Sequence, residues 1–169
     1  MNTHPTPAIT PPLPGHLWPE QQGRYAGIVR SDDGLRAWHL IVPEGDEYKF
    51  TDVKWGPRKT IKGCDSRFDG HANTMAMAAA GNALAEKIRA LPGDCYLPAR
   101  GETALMYATM PEHCDVGWHW TSTQCSDSNA WTQNFYLGSQ YYDLKSYEAC
   151  CRAVRRLPLQ SLDPSAGAA

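Results

Sequence analysis

The sequence predicts an α+β domain, and three observations carry that reading. A β-hairpin pattern opens the ordered part of the chain, helical periodicity occupies its middle, and strand-like segments separated by Ser, Asp, Asn and Gly fill its C-terminal third. The 169 residues suffice for one domain with a real hydrophobic core. With 14 Gly, 13 Pro, six Trp and eight Tyr, the composition is loop-rich and aromatic-rich, which excludes helical bundle, collagen and disordered classes. Sixteen Lys+Arg against 18 Asp+Glu leave a net charge of -2, which argues against a protein that coats nucleic-acid phosphates.

The elements follow in order. Six prolines in the first twenty residues forbid a regular ladder and favour extended backbone, so residues 1–22 read as a Pro-rich N-terminal arm. Its aromatic anchor is Leu17-Trp18, which docks either on its own domain or on a partner chain. The domain proper is expected over 23–157. Arg24 to Val29 alternates, Ser31-Asp32-Asp33-Gly34 supplies turn chemistry, and Leu35 to Val42 resumes with Trp38, Leu40 and Val42 on one face. Pro43 to Asp69 shows no sustained period. A helix is expected after Asn73 as N-cap, with Met77, Gly81, Leu84, Ile88 and Leu91 on one face and Pro92-Gly93 as its stop. Cys95 to Pro98 reads as a short extended link to a second helix from Arg100 to Met110, weakly capped because Ala99 has no side-chain acceptor. Strands are expected at His119 to Thr123, Ala130 to Phe135 and Ala149 to Arg156, and residues 158–169 as a flexible tail.

No basic n-region or apolar h-region opens the chain, and no stretch approaches the roughly 20 apolar residues that span a bilayer. The expectation is assembly in a cytoplasm, without membrane insertion, with the six cysteines as reduced thiols. Cys150 and Cys151 point to opposite faces if they lie in a strand, so they do not bridge each other.

Several ordered motifs carry a resemblance. Asp69-Gly70-His71-Ala72-Asn73-Thr74 and Tyr96-Leu97-Pro98-Ala99-Arg100-Gly101-Glu102 resemble the "DG-x-AN-T" and "WYLP-x-R-x-E" segments of one family. Trp120-Thr121-Ser122-Thr123-Gln124, Ala130-Trp131, Phe135, Gly138 and Arg152-Ala153-Val154-Arg155-Arg156 resemble its closing "WSSTQ … AW-x-x-x-F-x-x-G … RAVRR". This is the Lcl-type domain family of formally unknown function, found in phage and prophage tail regions and in some bacterial surface proteins. The resemblance spans about residues 23–157. It implies a C-type-lectin-like fold, with two helices packed on twisted antiparallel strands. It also implies a phage or prophage tail-associated, virion protein assembled in the bacterial cytoplasm. By analogy of fold, such a protein recognises a host cell-surface receptor, glycan or protein. The alternative is a structural tail fibre or baseplate subunit that contacts other phage tail proteins. Phage fibres are commonly trimeric, so a homotrimer is compatible.

Residues 121–147 are where recognition is expected. Tyr, Ser, Asn and Gly supply twelve of these positions and charge only three, the balance of a contact surface in which Tyr gives rigid area and amides give adaptable hydrogen bonds. The candidate contacts are Ser126, Asp127, Asn129, Tyr136, Gln140, Tyr141, Tyr142 and Asp143. Alternation places Trp131 and Phe135 in the core, with Thr132 and Asn134 on the other face.

Other chemistries are less favoured. A calcium site would need clustered carboxylates and amides, and Asp127, Asn129 and Asp143 are scattered. His113, Cys114, His119, Cys125 and Cys95 match no zinc spacing, so no metal and no cofactor is assigned. Formylglycine-generating oxidases share the lectin-like fold, but their redox cysteines are separated whereas Cys150-Cys151 is vicinal; the expectation is no enzyme. His39 and His71 read as structural. Arg152, Arg155 and Arg156 read as ion-pair anchors that pin the last strand to an acidic turn rather than as an anion site.

Overall fold

The computed structural model describes residues 10–159. The expectations for residues 1–9 of the arm and 160–169 of the tail lie outside the described residues, and Pro158, assigned to the flexible tail, instead closes the last strand, with Leu159 N bonding the Ala37 carbonyl. The order is β1 (Leu17–Trp18), β2 (Gly23–Arg30), β3 (Ala37–Pro43), β4 (Lys49–Lys54), α1 (Gly70–Ala79), α2 (Ala83–Arg89), α3 (Arg100–Thr109), β5 (Trp118–Gln124), β6 (Asn129–Asn134), β7 (Gln140–Leu144), β8 (Glu148–Arg152) and β9 (Arg155–Pro158). The strands form a four-stranded sheet in the order β1-β2-β3-β9 and a five-stranded sheet in the order β4-β8-β5-β6-β7. Every pairing is antiparallel except β5 with β8. The fold is α+β, with three helices where two were expected.

The hairpin forms where the alternation placed it. Arg30 faces Ala37 across the turn, Gly34 takes the left-handed φ of +73 that the turn requires, and Trp38, Leu40 and Val42 all enter one core cluster. Ahead of it, Leu17 and Trp18 pair with Arg24 and Gly23 and add an edge strand. That pairing turns Trp18 inward onto Tyr25 and Ile41, with its ring edge-on to Tyr25 and His39. The residues assigned to partner docking therefore divide. Trp18 is 4% exposed in its own domain, whereas Leu17 is 45% exposed.

The long helix is two helices. Gly81 adopts φ +75 and ends α1, and Asn82 restarts the chain by accepting the Ala85 N–H and donating to the Trp55 carbonyl. The cap of α1 is Asp69, which accepts from Ala72 N, rather than Asn73. Asn73 is fully buried, its amide bonded to both backbone groups of Ser66 and to the Ser122 hydroxyl. Helix α3 starts at Arg100 as expected, and its orphan first-turn donors find distant partners. Arg100 N donates to Thr123 Oγ1 and Gly101 N to the Arg67 carbonyl.

Three strands differ from expectation. β4 shows no alternation because Asp52, at φ 53, sits in a bulge between Phe50 and Val53. β7 occupies a stretch where no strand is expected. The segment from Ala149 to Arg156 is interrupted at Ala153-Val154, where Ala153 N bonds the Tyr48 carbonyl and Val154 bridges Tyr96. β8 and β9 consequently belong to different sheets, and Arg152 and Arg156 do not share a strand face.

One core cluster joins Trp55, Met77, Leu84, Ile88, Leu97 and Trp120 beneath α1 and α2; a second joins Trp38, Leu40, Tyr96, Met106 and Phe135 against α3. Between them sits Glu102, fully buried. Its carboxylate accepts from Trp38 Nε1 (3.0 Å), Tyr96 OH (2.7 Å), Ala99 N (2.8 Å) and Gly70 N (3.2 Å). Burial pushes this carboxyl up to about 7, while the donated hydrogen bonds oppose that rise. Arg156 meets Asp69 at 3.0 Å and lies over the Trp38 ring, and Arg36 reaches the other Asp69 oxygen at 3.4 Å. Strand β9 is thus tied to the acidic turn ahead of α1 as the ion-pair reading expects for Arg156, whereas Arg152 bonds the Pro43 carbonyl and Arg155 the Gln21 amide, and neither meets a carboxylate within ion-pair distance among the described residues.

All six cysteines are unpaired. In β8, Cys151 is buried and Cys150 is partly exposed, the two-faced arrangement expected of a strand. Burial pushes the thiols of Cys64 and Cys114 up to about 12 and that of Cys95 up to about 11, which leaves them protonated and poor nucleophiles. Among the described residues, no helix is long and apolar enough to cross a membrane.

Candidate functional site

The β6–β7 hairpin carries most of the candidate residues, and its register sets their neighbours. Asn129, Ala130, Trp131, Thr132 and Gln133 pair with Leu144, Asp143, Tyr142, Tyr141 and Gln140. β7 is the edge of its sheet, so its outer side meets solvent. Tyr141 and Tyr142 stack with ring centroids 4.7 Å apart and planes 10° from parallel. Tyr142 also meets Trp131 edge-on at 5.7 Å. Over the indole lies Arg100, its guanidinium carbon 3.5 Å from the ring centroid.

Arg100 is held there by Gln140, which accepts from Arg100 Nε at 3.2 Å and donates to the Arg100 carbonyl and to Gln133 Oε1. These bonds occupy the Gln140 amide. Gln140 is therefore a brace between α3 and the hairpin rather than a free contact. Trp131 is half-buried and roofed by Arg100, so the expectation of a core indole is corrected, while Phe135 does enter the core. Thr132 and Asn134, expected on the face opposite Trp131 and Phe135, are both buried.

Tyr141 is 58% exposed and Tyr142 42%, with Asp143 and Leu144 continuing the exposed row. Two aromatic faces and two phenol hydroxyls on an open edge suit stacking against the apolar face of a sugar or a protein ridge. The remaining candidates spread along the hairpin. Ser126, Asp127 and Asn129 form the β5–β6 turn, where the Ser126 hydroxyl accepts from Ser128 N and Asn129 N and is already engaged. The Ser128 hydroxyl and then Arg58 hold the Asp127 carboxyl below its usual range. Tyr136 is 72% exposed but sits in the β6–β7 turn at the opposite end, roughly 20 Å of strand away from Ser126. Beside it Leu137 and Trp118 are also exposed.

Sequence reasoning missed Arg100 and Trp131 as parts of this surface, and Trp118 beside Tyr136. A tryptophan in an alternating strand next to a Tyr-Tyr pair was the available signal, outweighed by its apolar character. Among the described residues, no group of three His, Cys, Asp or Glu side chains is placed to hold a metal ion. His119 packs edge-on against Phe135, Cys95 donates to the Pro92 carbonyl, and Cys125 lies exposed in the β5–β6 turn, so these zinc-type residues do not converge. His39 bonds Tyr25 and His71 bonds Asp94, both as parts of the frame. In comparisons with known proteins, no family model and no curated protein matches this chain.

Proposed function

We propose that the protein is a non-enzymatic recognition module of a phage or prophage tail that binds a host cell-surface glycan or protein through the Tyr141–Tyr142 edge. The observation that carries the reading is the stacked pair itself. Two adjacent tyrosines lie solvent-facing on an edge strand, backed by a Trp131–Arg100 stack that fixes the Tyr142 side. Such a pair presents large contact area with little side-chain entropy left to lose, which is what a weak, multivalent surface contact uses. The tail assignment and a C-type-lectin-like fold rest on the ordered motifs, with which an α+β domain of helices on two antiparallel-rich sheets is compatible. The receptor surface then comprises Tyr141, Tyr142, Asp143 and Asn129, with Tyr136 as a second contact point.

A second reading is favoured by the same edge. The unpaired outer side of β7 offers main-chain groups to a strand of another tail protein or of a second copy, as in β-strand addition. Adsorption separates the two. Purified labelled protein is incubated with intact bacteria beside a Tyr136/Tyr141/Tyr142→Ala variant. Saturable binding by the wild type alone supports receptor recognition, and no binding under conditions where the assembled particle adsorbs moves the role to a structural subunit.

A further inference from the structure

A cavity of about 340 Å³ lies away from the tyrosine edge, where the ends of β3, β8 and α3 meet the start of β4. Its walls carry cations and acids in near balance. Arg24 pairs with Glu44 at 2.7 Å, Lys49 with Asp115 and Asp46 at 3.4 Å, and His113 with Glu112 at 3.4 Å. Arg152 is the exception. It is 8% exposed, and among the described residues no carboxylate lies within ion-pair distance of its guanidinium. It donates from Nη2 to the Pro43 carbonyl at 2.6 Å, and its buried Nε has no hydrogen-bond partner among the described residues. A buried guanidinium with spare donors and no counter-ion is an expensive arrangement for a fold that places Asp69 against Arg156 elsewhere.

We propose that this cavity binds the carboxylate of a small molecule, held by the Arg152 guanidinium. A planar carboxylate matches the guanidinium fork and takes the direct ion-pair position that Asp115, Glu44 and Asp46, which act on Arg152 only from a distance, leave open. The rim selects further. Glu44, Glu112 and Asp115 disfavour every anion and a dianion such as phosphate most, and they favour a carboxylate whose remainder is cationic, as in an amino acid. The volume falls at the small end of ligand pockets and suits a molecule of that size rather than a polymer. This site is independent of the proposed receptor surface, and either one can fail without the other.

The test is a titration followed by NMR at the Arg152 Nε–H of the wild-type protein, with acetate, glycine, inorganic phosphate and chloride as separate probes at constant ionic strength. Saturable shifts with acetate and glycine, absent with chloride and weaker with phosphate, are expected. Asp115 is half-exposed and its carboxylate bears on the cavity, so Asp115→Asn should fold normally and tighten acetate about two- to fivefold through loss of a like charge. Arg152→Lys should abolish the saturable response, read at the backbone amides of Cys114 and Lys49. An Arg152 Nε–H that does not move at saturating acetate overturns the proposal, as does an equal response to all four anions. Unchanged acetate affinity in Asp115→Asn overturns the rim-selection argument.

Discussion

Two regions of this domain use the same kinds of residue to opposite ends. Around Glu102, a tryptophan and a tyrosine are buried and spend their polar atoms on one carboxylate, with an arginine stacked over the Trp38 ring. Along β6 and β7, a tryptophan, two tyrosines and an arginine again form a stack, but the tyrosines end at solvent with their hydroxyls free for other partners. The first arrangement closes the fold and the second leaves a surface open. Six of the motif residues that suggest a family, Asp69, Gly70, Asn73, Tyr96, Glu102 and Arg156, belong to the closed network or its immediate supports, while Arg100 and Trp131 from the same motifs back the open edge. The motif resemblance thus speaks to architecture. The residues that would choose a ligand lie mainly outside the motifs.

The sharpest way to break this contrast is at Glu102. Glu102→Ala leaves four buried donors unpaired and should cost at least about 3 kcal/mol in urea denaturation. A loss below about 1 kcal/mol would show the network to be dispensable. Titration sharpens the same point. With its carboxyl raised from 4.5 to about 7 in the fold, Glu102 holds its proton there at pH values where the unfolded chain has released it. Its contribution to stability is therefore full below pH 4.5 and falls as pH rises to about 7, by on the order of 3 kcal/mol. The wild-type minus Glu102→Gln difference in stability, measured from pH 4 to 8, should carry that slope; parallel profiles would contradict it.

Gly70→Ala should follow in size. A Cβ at Gly70 would collide with Glu102 Oε2, Ala99 N and the Leu97 carbonyl, so a loss of about 1–3 kcal/mol is expected in the same denaturation assay. Gly81→Ala meets no neighbour but must adopt the positive φ between α1 and α2, and should cost about 1 kcal/mol. A neutral or stabilising result there would mean that α1 and α2 can fuse into the single helix the periodicity suggests.

How much of this was readable depends on whether the signal is local. The β2–β3 hairpin and α3 were legible because alternation, turn residues and a proline stop act within a few positions of each other. The α1–α2 break was not, because the apolar period runs through Gly81 without losing phase. β4 escaped because the Asp52 bulge shifts its register, and β7 because Tyr141 and Tyr142 are both exposed and erase the alternation a half-buried strand would show. In the candidate site, the tyrosine-rich composition was visible. The Arg100–Trp131 stack and the Gln140 brace were not, since both join α3 to residues far along the chain through tertiary packing alone.

The smallest effect on stability is expected where the largest effect on binding lies. Tyr141→Ala with Tyr142→Ala removes two half-exposed rings and should shift stability by no more than about 1 kcal/mol, since each surface position counts for about 0.5. The most direct test of the account is therefore one pair of measurements on this double variant: thermal unfolding and saturable binding to intact cells. An unfolding midpoint within a few degrees of the wild type together with loss of cell binding is the result predicted. Retained binding by a folded variant, or a collapse of the midpoint, would contradict the separation of a closed network that makes the fold from an open edge that recognises.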